Sequence, residues 1–396
     1  MSASNYEVRS GGQPDSRTWY LPATDVAVRH VMRGLVGTPV RGSTYRALQR
    51  LGGGWLQRQH LAALAWWRWR NGSECPLGVA LDLQAGWYMA VGDTELQRRE
   101  LAAILQALSA SGARPIAFKG AALAYTVYPD PACRVMGDLD LWIVAEDMPR
   151  AQAALEAIGY RFEAKADRPP ALMALFSGEV RMYGPDKASG LVELHFGVFA
   201  GEWLRRVACV DEAAISARCQ PVELTGCRAY ALAAEDHLLQ ISVHAAVNHQ
   251  LSMSAMRALI DVALLARHQP LDWSAVVQRA KAWRVATATW LVLSLAIDLC
   301  GLDEAAEAAR QLAPSKVRQR LIGRFANAEA LIELRDLSQS KWRYVYLLLM
   351  VDRKRDAVRL ALRTLWPEDE WLQARYGQGG WRVRLRHLLG AVRGRT

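Results

Sequence analysis

The chain has 396 residues, enough for two or three packed units around a sizeable core. Hydrophobic residues make up 52% and charged residues 22%, which excludes a disordered chain, and no apolar run reaches the eighteen or so residues of a membrane-spanning helix. The net charge of +10 is local: residues 341–396 hold 13 Lys/Arg against 5 Asp/Glu, so the basicity belongs to a C-terminal segment.

The opening "MSASNYEVRSGGQPDSR" is polar and lacks the apolar centre of a secretory signal, so residues 1–18 read as a flexible tail. None of the six cysteines forms a C-x-x-C pair or lies beside spaced histidines, and a reduced, cytoplasmic protein is the expectation. Residues 19–95 read as helical. "WLQRQHLAALAWWRWRN" is expected to be one helix, stopped at Gly72. "ELQRRELAAILQALSASG" is another: Leu101, Ile104, Leu105 and Leu108 recur at helical spacing, and Gly112 ends it.

Near residue 113 the period changes. "RPIAFKG" reads as a short strand, and "AALAYTVY" as a short helix stopped by Pro129 and Pro131. "DLDLWIV" alternates, with Asp138, Asp140 and Trp142 on one face and Leu139, Leu141 and Ile143 on the other. "MPRAQAALEAIGY" is a helix closed by Gly159, and "GEVRMYGPD" and "GLVELHFGVF" are further strands. After Gly201 the chain reads as helical again, most clearly in "AEDHLLQISVHAAVNH", "SAMRALIDVALLARHQ" and "LDWSAVVQRAKAW". The expected fold is α+β: a small mixed sheet over 96–200, flanked by helical regions at 19–95 and 201–340, with a basic segment at 341–396.

Two carboxylates on one strand face repel each other, and a divalent cation removes the conflict. Glu193 sits in "LVELHF", a strand of the same apolar–acidic–apolar form, with His195 on its polar face. If the two strands are neighbours, Asp138, Asp140 and Glu193 form one acidic face, the geometry that holds two metal ions for an in-line phosphoryl displacement. Lys119 and Gly120 end the preceding strand where a helix begins. There a glycine lets phosphate approach the backbone, and Lys119 and Arg134 add positive charge.

"AFKGAALAYTVYPDPACRVMGDLDLWI" followed by "VELH" resembles an uncharacterised nucleotidyltransferase family of the DNA polymerase β-like superfamily. The likeness runs from about 101 to 280 and takes in "EDHLLQISVHAAVNH" and "RALIDVALL". It implies a Mg2+-dependent transfer of a nucleoside monophosphate from an NTP to an acceptor hydroxyl, using two Mg2+ ions, or Mn2+ in their place. Asp138, Asp140 and Glu193 would be the catalytic metal ligands, and Lys119, Gly120 and Arg134 would hold the triphosphate. His195, His244 and Asp261 would be supporting polar residues. Two positions depart from the superfamily pattern: Ala121 stands where a serine is usual, and the third acid is Glu193 rather than Asp. The acceptor is a small molecule, peptide, protein or RNA. The alternative is a nucleotide- or RNA-binding module of the same fold without turnover. Replacing Asp140 by Asn is expected to leave the fold intact or firmer.

Arg355, Arg359 and Arg363 form one helical stripe, and "WRVRLRHLLGAVRGRT" adds Arg382, Arg384, Arg386, Arg393 and Arg395; a solvated helix face is the expectation, and the alternative is an anionic partner: RNA phosphates, an acidic protein or anionic lipid.

Overall fold

A computed structural model describes residues 22–39, 42–72, 75–162, 178–185, 190–252, 255–333, 337, 340 and 342–392. The tail read at 1–18, with Arg393 and Arg395, lies outside the described residues. The fold is α+β: a seven-stranded mixed sheet between helical layers. Among the described residues no helix is long and apolar enough to cross a membrane.

Five helices lead: α1 (Pro22–Leu35), α2 (Gly42–Leu51), α3 (Gly53–Arg58), α4 (Ala62–Trp69) and α5 (Leu77–Ala110). The single helix expected over 55–71 is two, because His60 takes a left-handed backbone (φ 57°) between α3 and α4. Conversely, α5 starts well upstream of the stretch whose periodicity marks it, and only its last turns carry the full apolar stripe.

The sheet runs β3 (Arg161–Phe162), β4 (Glu179–Tyr183), β5 (Leu191–His195), β2 (Asp138–Trp142), β1 (Ile116–Ala117), β7 (Cys227–Ala231), β6 (Gln220–Leu224). β2 pairs in parallel with β5 and antiparallel with β1, and β1 pairs in parallel with β7. The β6–β7 hairpin falls inside the stretch that the sequence pattern reads as helical. Its turn, Thr225–Gly226, has φ of 54° and 79°, the primed-turn conformation that joins tight hairpins. Pro221 is tolerated because β6 is an edge strand.

Alternation along β2 and β5 decides what lies on each side. Leu139, Leu141, Val192 and Leu194 pack with Leu101, Ile104, Leu105 and Leu108 of α5 and Leu155 of α7 (Met148–Ala157). On the opposite face Ile116 and Trp142, with Phe118 beyond β1, join a larger core with α10 (Ala234–Val243), α11 (Ala255–His268) and α13 (Ala286–Cys300); in chain order α8 (Glu202–Val207) and α9 (Glu212–Arg218) lie between β5 and β6, and α12 (Trp273–Ala282) follows α11. The acidic residues therefore sit at a seam between sheet and helices.

Candidate active site

The parallel register of β2 and β5 sets Asp138 opposite Leu191, Asp140 opposite Glu193 and Trp142 opposite His195. On the next strand Arg181 lies opposite Glu193, and Glu179 opposite His195. One face thus carries Asp138, Asp140, Glu193, Glu179, Arg181 and His195. Asp140, Glu193 and His195 are buried, whereas Asp138, at the strand's start, is only partly covered.

Asp140 is the most heavily compensated acid. Its Oδ1 accepts from Lys119 Nζ at 2.7 Å and lies 2.9 Å from His195 Nε2. Burial alone would raise its pKa, but Lys119 and His195 outweigh burial and hold it well below the usual carboxylate range. The converse holds for the cations: burial opposes the charge on Lys119 and His195, and Asp140 with Glu193 raises both pKa values nonetheless. Glu193 is also pulled down against its burial, chiefly by His195. Arg181 Nη2 lies 2.6 Å from Glu193 Oε1, an ion pair by distance, although that oxygen receives no well-aligned hydrogen bond.

Asp138 differs from its neighbours. Its carboxylate makes no hydrogen bond or ion pair among the described residues, and burial followed by the charges of Asp140 and Glu193 pushes its pKa up to about 6. Lys119 and His195 are already taken by Asp140. The buried Nδ1 of His195 is likewise without a partner among the described residues. Donor atoms of Asp140, Glu193 and His195 lie within 4.8 Å of one another. Carboxylate oxygens beside an uncompensated Asp138 suit a hard divalent cation, and the imidazole nitrogen extends the set toward Mn2+.

Lys119 ends the strand side of the seam with φ 49° and ψ −132°, a backbone that non-glycine residues avoid. Two contacts hold it there. Its N–H donates to His237 Nε2 at 2.9 Å, and its Nζ is tied to Asp140. Accepting that hydrogen bond requires a neutral imidazole, in keeping with the burial that lowers the His237 pKa to about 4. The helix α6 (Gly120–Thr126) starts on the next residue. Gly120 is needed for space: a Cβ there would lie 2.7 Å from Met136 Cγ and 3.5 Å from Arg134 Nη1.

Arg134 is near the site but engaged. Its Nε and Nη2 donate to the two oxygens of Asp261 at 2.7 and 2.8 Å, and Tyr128 Oη adds a third donor at 2.6 Å. Its Nη1 donates to the Val135 carbonyl, which also accepts from Arg257 Nη1 at 2.8 Å. Arg257 has no carboxylate at ion-pair distance among the described residues, and burial with the neighbouring Arg134 lowers its pKa to about 10. Sequence reasoning missed it. The available signal was its place one turn before Asp261 on an otherwise apolar helix.

His244 and His249 close the far side. Five residues, His244–Asn248, form a π-turn that continues α10, and the two imidazoles meet edge to face at 4.4 Å. Burial and the charge of Lys119 keep both below the ordinary histidine range, His249 at about 4. The structure therefore brings Lys119, Gly120, Asp138, Asp140, Glu193 and His195 to one seam. His244 stands across it, and Arg134 and Asp261 are joined to each other at its edge. His237, His249, Arg181 and Glu179 were not read from the sequence.

Residues 54–301, more than half of the chain, match the model of a family described as an uncharacterised nucleotidyltransferase. No curated protein and no solved structure matches the chain.

Proposed function

The chain belongs to the uncharacterised nucleotidyltransferase family, and from that premise we propose that it moves a nucleoside monophosphate from an NTP to an acceptor hydroxyl with release of pyrophosphate, dependent on Mg2+ or Mn2+. The observation that carries this reading is the registered pair Asp140–Glu193 with the uncompensated Asp138 beside it, one strand away from the Lys119–Gly120 turn.

Asp138, Asp140 and Glu193 would hold the divalent cations. Bound there, the cations supply charge neutralisation at the phosphoryl oxygens. The remaining work is positioning and electrostatics by the chain itself. Gly120 and the first turn of α6 would receive a phosphate, since Gly120 adds no Cβ to the space it shares with Met136 and Arg134. Lys119 would exchange its contact with Asp140 for phosphate contacts once cations neutralise the acids. Arg257 brings a charge that no carboxylate among the described residues has taken, while Arg134, anchored on Asp261, holds the same Val135 carbonyl in place and faces Gly120. His195 would steady Asp140 and Glu193, and His244 with His249 would line the acceptor side as neutral imidazoles able to accept a hydrogen bond.

The test is incubation of purified protein with each α-labelled NTP, Mg2+ or Mn2+, and cell extract, followed for labelled product and pyrophosphate. Metal-dependent pyrophosphate release supports the reading. Nucleotide binding without release, with metal and extract present, would favour the binding-module alternative, in which Lys119 and His195 remain the permanent counter-charges of Asp140.

A further inference from the structure

Two helices of the C-terminal segment, Lys354–Leu365 and Trp381–Val392, with the helix Asp369–Tyr376 between them, present surfaces that the nucleotidyl-transfer site does not use. In Lys354–Leu365, Asp356 and Leu360 face inward. At about 100° per residue the opposite side carries Val358 and Leu362, which are 59% and 61% exposed, with Leu365 following. In Trp381–Val392, Val383 and His387 face inward, and the opposite side carries Trp381, Leu385 and Leu389, exposed by 63%, 43% and 49%. Each apolar stripe points into solvent rather than into a core.

An arginine pair borders each stripe: Arg355 and Arg359 on the first helix, Arg382 and Arg386 on the second. Among the described residues Arg359, Arg382 and Arg386 have no carboxylate at ion-pair distance, and Arg355 reaches Asp356 only at 3.8 Å. Of the acids between the helices, Glu368 is held by Arg363 at 2.5 Å and Asp369 by Arg384 at 3.0 Å. The two helices are locked together, with His387 Nε2 3.1 Å from the Thr364 carbonyl and Arg384 Nε donating to the Pro367 carbonyl at 2.9 Å.

The composition of these faces selects the occupant. Nucleic acid would satisfy the arginines but leave Leu362, Leu385 and Leu389 in water. A second copy meeting the same face would set these arginines against themselves. An anionic bilayer surface takes both components: headgroup phosphates receive the guanidinium groups, the aliphatic side chains enter the acyl boundary, and Trp366 and Trp381 suit the interfacial layer. From this charge complementarity we infer that the helices Lys354–Leu365 and Trp381–Val392 dock the protein peripherally on anionic lipid membrane.

The experiment is co-sedimentation of the full-length protein with phosphatidylcholine vesicles, with and without phosphatidylglycerol, beside a parallel titration with single-stranded RNA. The expected result is binding only to the phosphatidylglycerol vesicles. Replacing Arg359, Arg382 and Arg386 together by Gln should weaken it about a hundredfold, at about fivefold for each arginine near an anionic surface. Leu385→Gln and Leu389→Gln should each weaken it about tenfold with an unchanged melting temperature, because both positions are already exposed. Absence of binding to phosphatidylglycerol vesicles overturns the inference. So does RNA binding that depends on the arginines while vesicle binding is unaffected by the two leucine variants.

Discussion

Two buried clusters of charge lie side by side in this protein and are built to opposite plans. At Asp261, one carboxylate meets three donors from Arg134 and Tyr128 spread over both oxygens, so its charge is matched within the chain. At the β2–β5 seam, Asp138, Asp140 and Glu193 crowd together; Lys119 and His195 both meet one oxygen of Asp140, and Arg181 lies 2.6 Å from Glu193. Among the described residues the Asp138 carboxylate is left without a partner, and so is the His195 Nδ1. A closed cluster stabilises one arrangement of the chain. An acid-rich cluster with an uncompensated member stores repulsion that an incoming cation can relieve.

The largest effect expected is at Asp140. Asp140→Asn should lower nucleotidyl transfer by three orders of magnitude or more, since metal-held charge is worth several kcal/mol and about 1.36 kcal/mol is tenfold. The sequence alone suggested that this change would spare or firm the fold. The structure reverses that, because Lys119 and His195 would lose their shared acceptor while remaining buried. Unfolding by denaturant should show a loss of about 3 kcal/mol. Asp261→Asn sharpens the contrast. It should cost a similar amount, about 3 kcal/mol, because Arg134 is left buried and short of charge. Transfer per folded molecule should nonetheless stay within about tenfold of wild type. Equal losses of activity in both variants would erase the distinction between the clusters.

Asp138→Asn should move stability the other way. A carboxylate held at about pKa 6 is more costly folded than unfolded at neutral pH, so removing its charge should stabilise the metal-free protein by about 3 kcal/mol. Chemical denaturation of the chelator-treated variant beside wild type reads this directly. The smallest effect expected comes from His237. Its folded pKa, about 4, lies below that of an unfolded histidine, so the unfolded chain takes up the proton first as pH falls. Stability is complete above about pH 6.5 and is lost below it, by about 2 kcal/mol at pH 5 from this group. His237→Gln keeps an acceptor for the Lys119 N–H and should flatten that part of the stability–pH curve. An unaltered curve would contradict the buried, neutral imidazole.

The legible part of this architecture was what alternation and position-specific residues encode. The period-two pattern in "DLDLWIV" and "LVELH" put the acids on one face, and strand adjacency then followed in register. Lys119–Gly120 read correctly as a strand-to-helix step, but the left-handed backbone falls on Lys119, where no residue-type preference announces it. The hairpin at 220–231 was hidden because its strands carry Pro221 and charged residues, and Thr225 is a poor flag for a primed turn. Arg134 looks like a phosphate ligand in one dimension, and only the fold brings Asp261, 127 residues away, onto its guanidinium. The same distance conceals Arg257 and His237, whose helices read simply as core. Long-range pairing of buried polar groups leaves no local period to detect.

The central claim is that the seam holds an unmet negative charge that a divalent cation fills, with Asp138 as the open member. The most direct measurement is the melting temperature of chelator-treated protein titrated with Mn2+, for wild type, Asp138→Asn and Asp261→Asn. A saturable rise in wild type and in Asp261→Asn, absent in Asp138→Asn, is the result predicted. No rise in wild type, or an equal rise in Asp138→Asn, would contradict it.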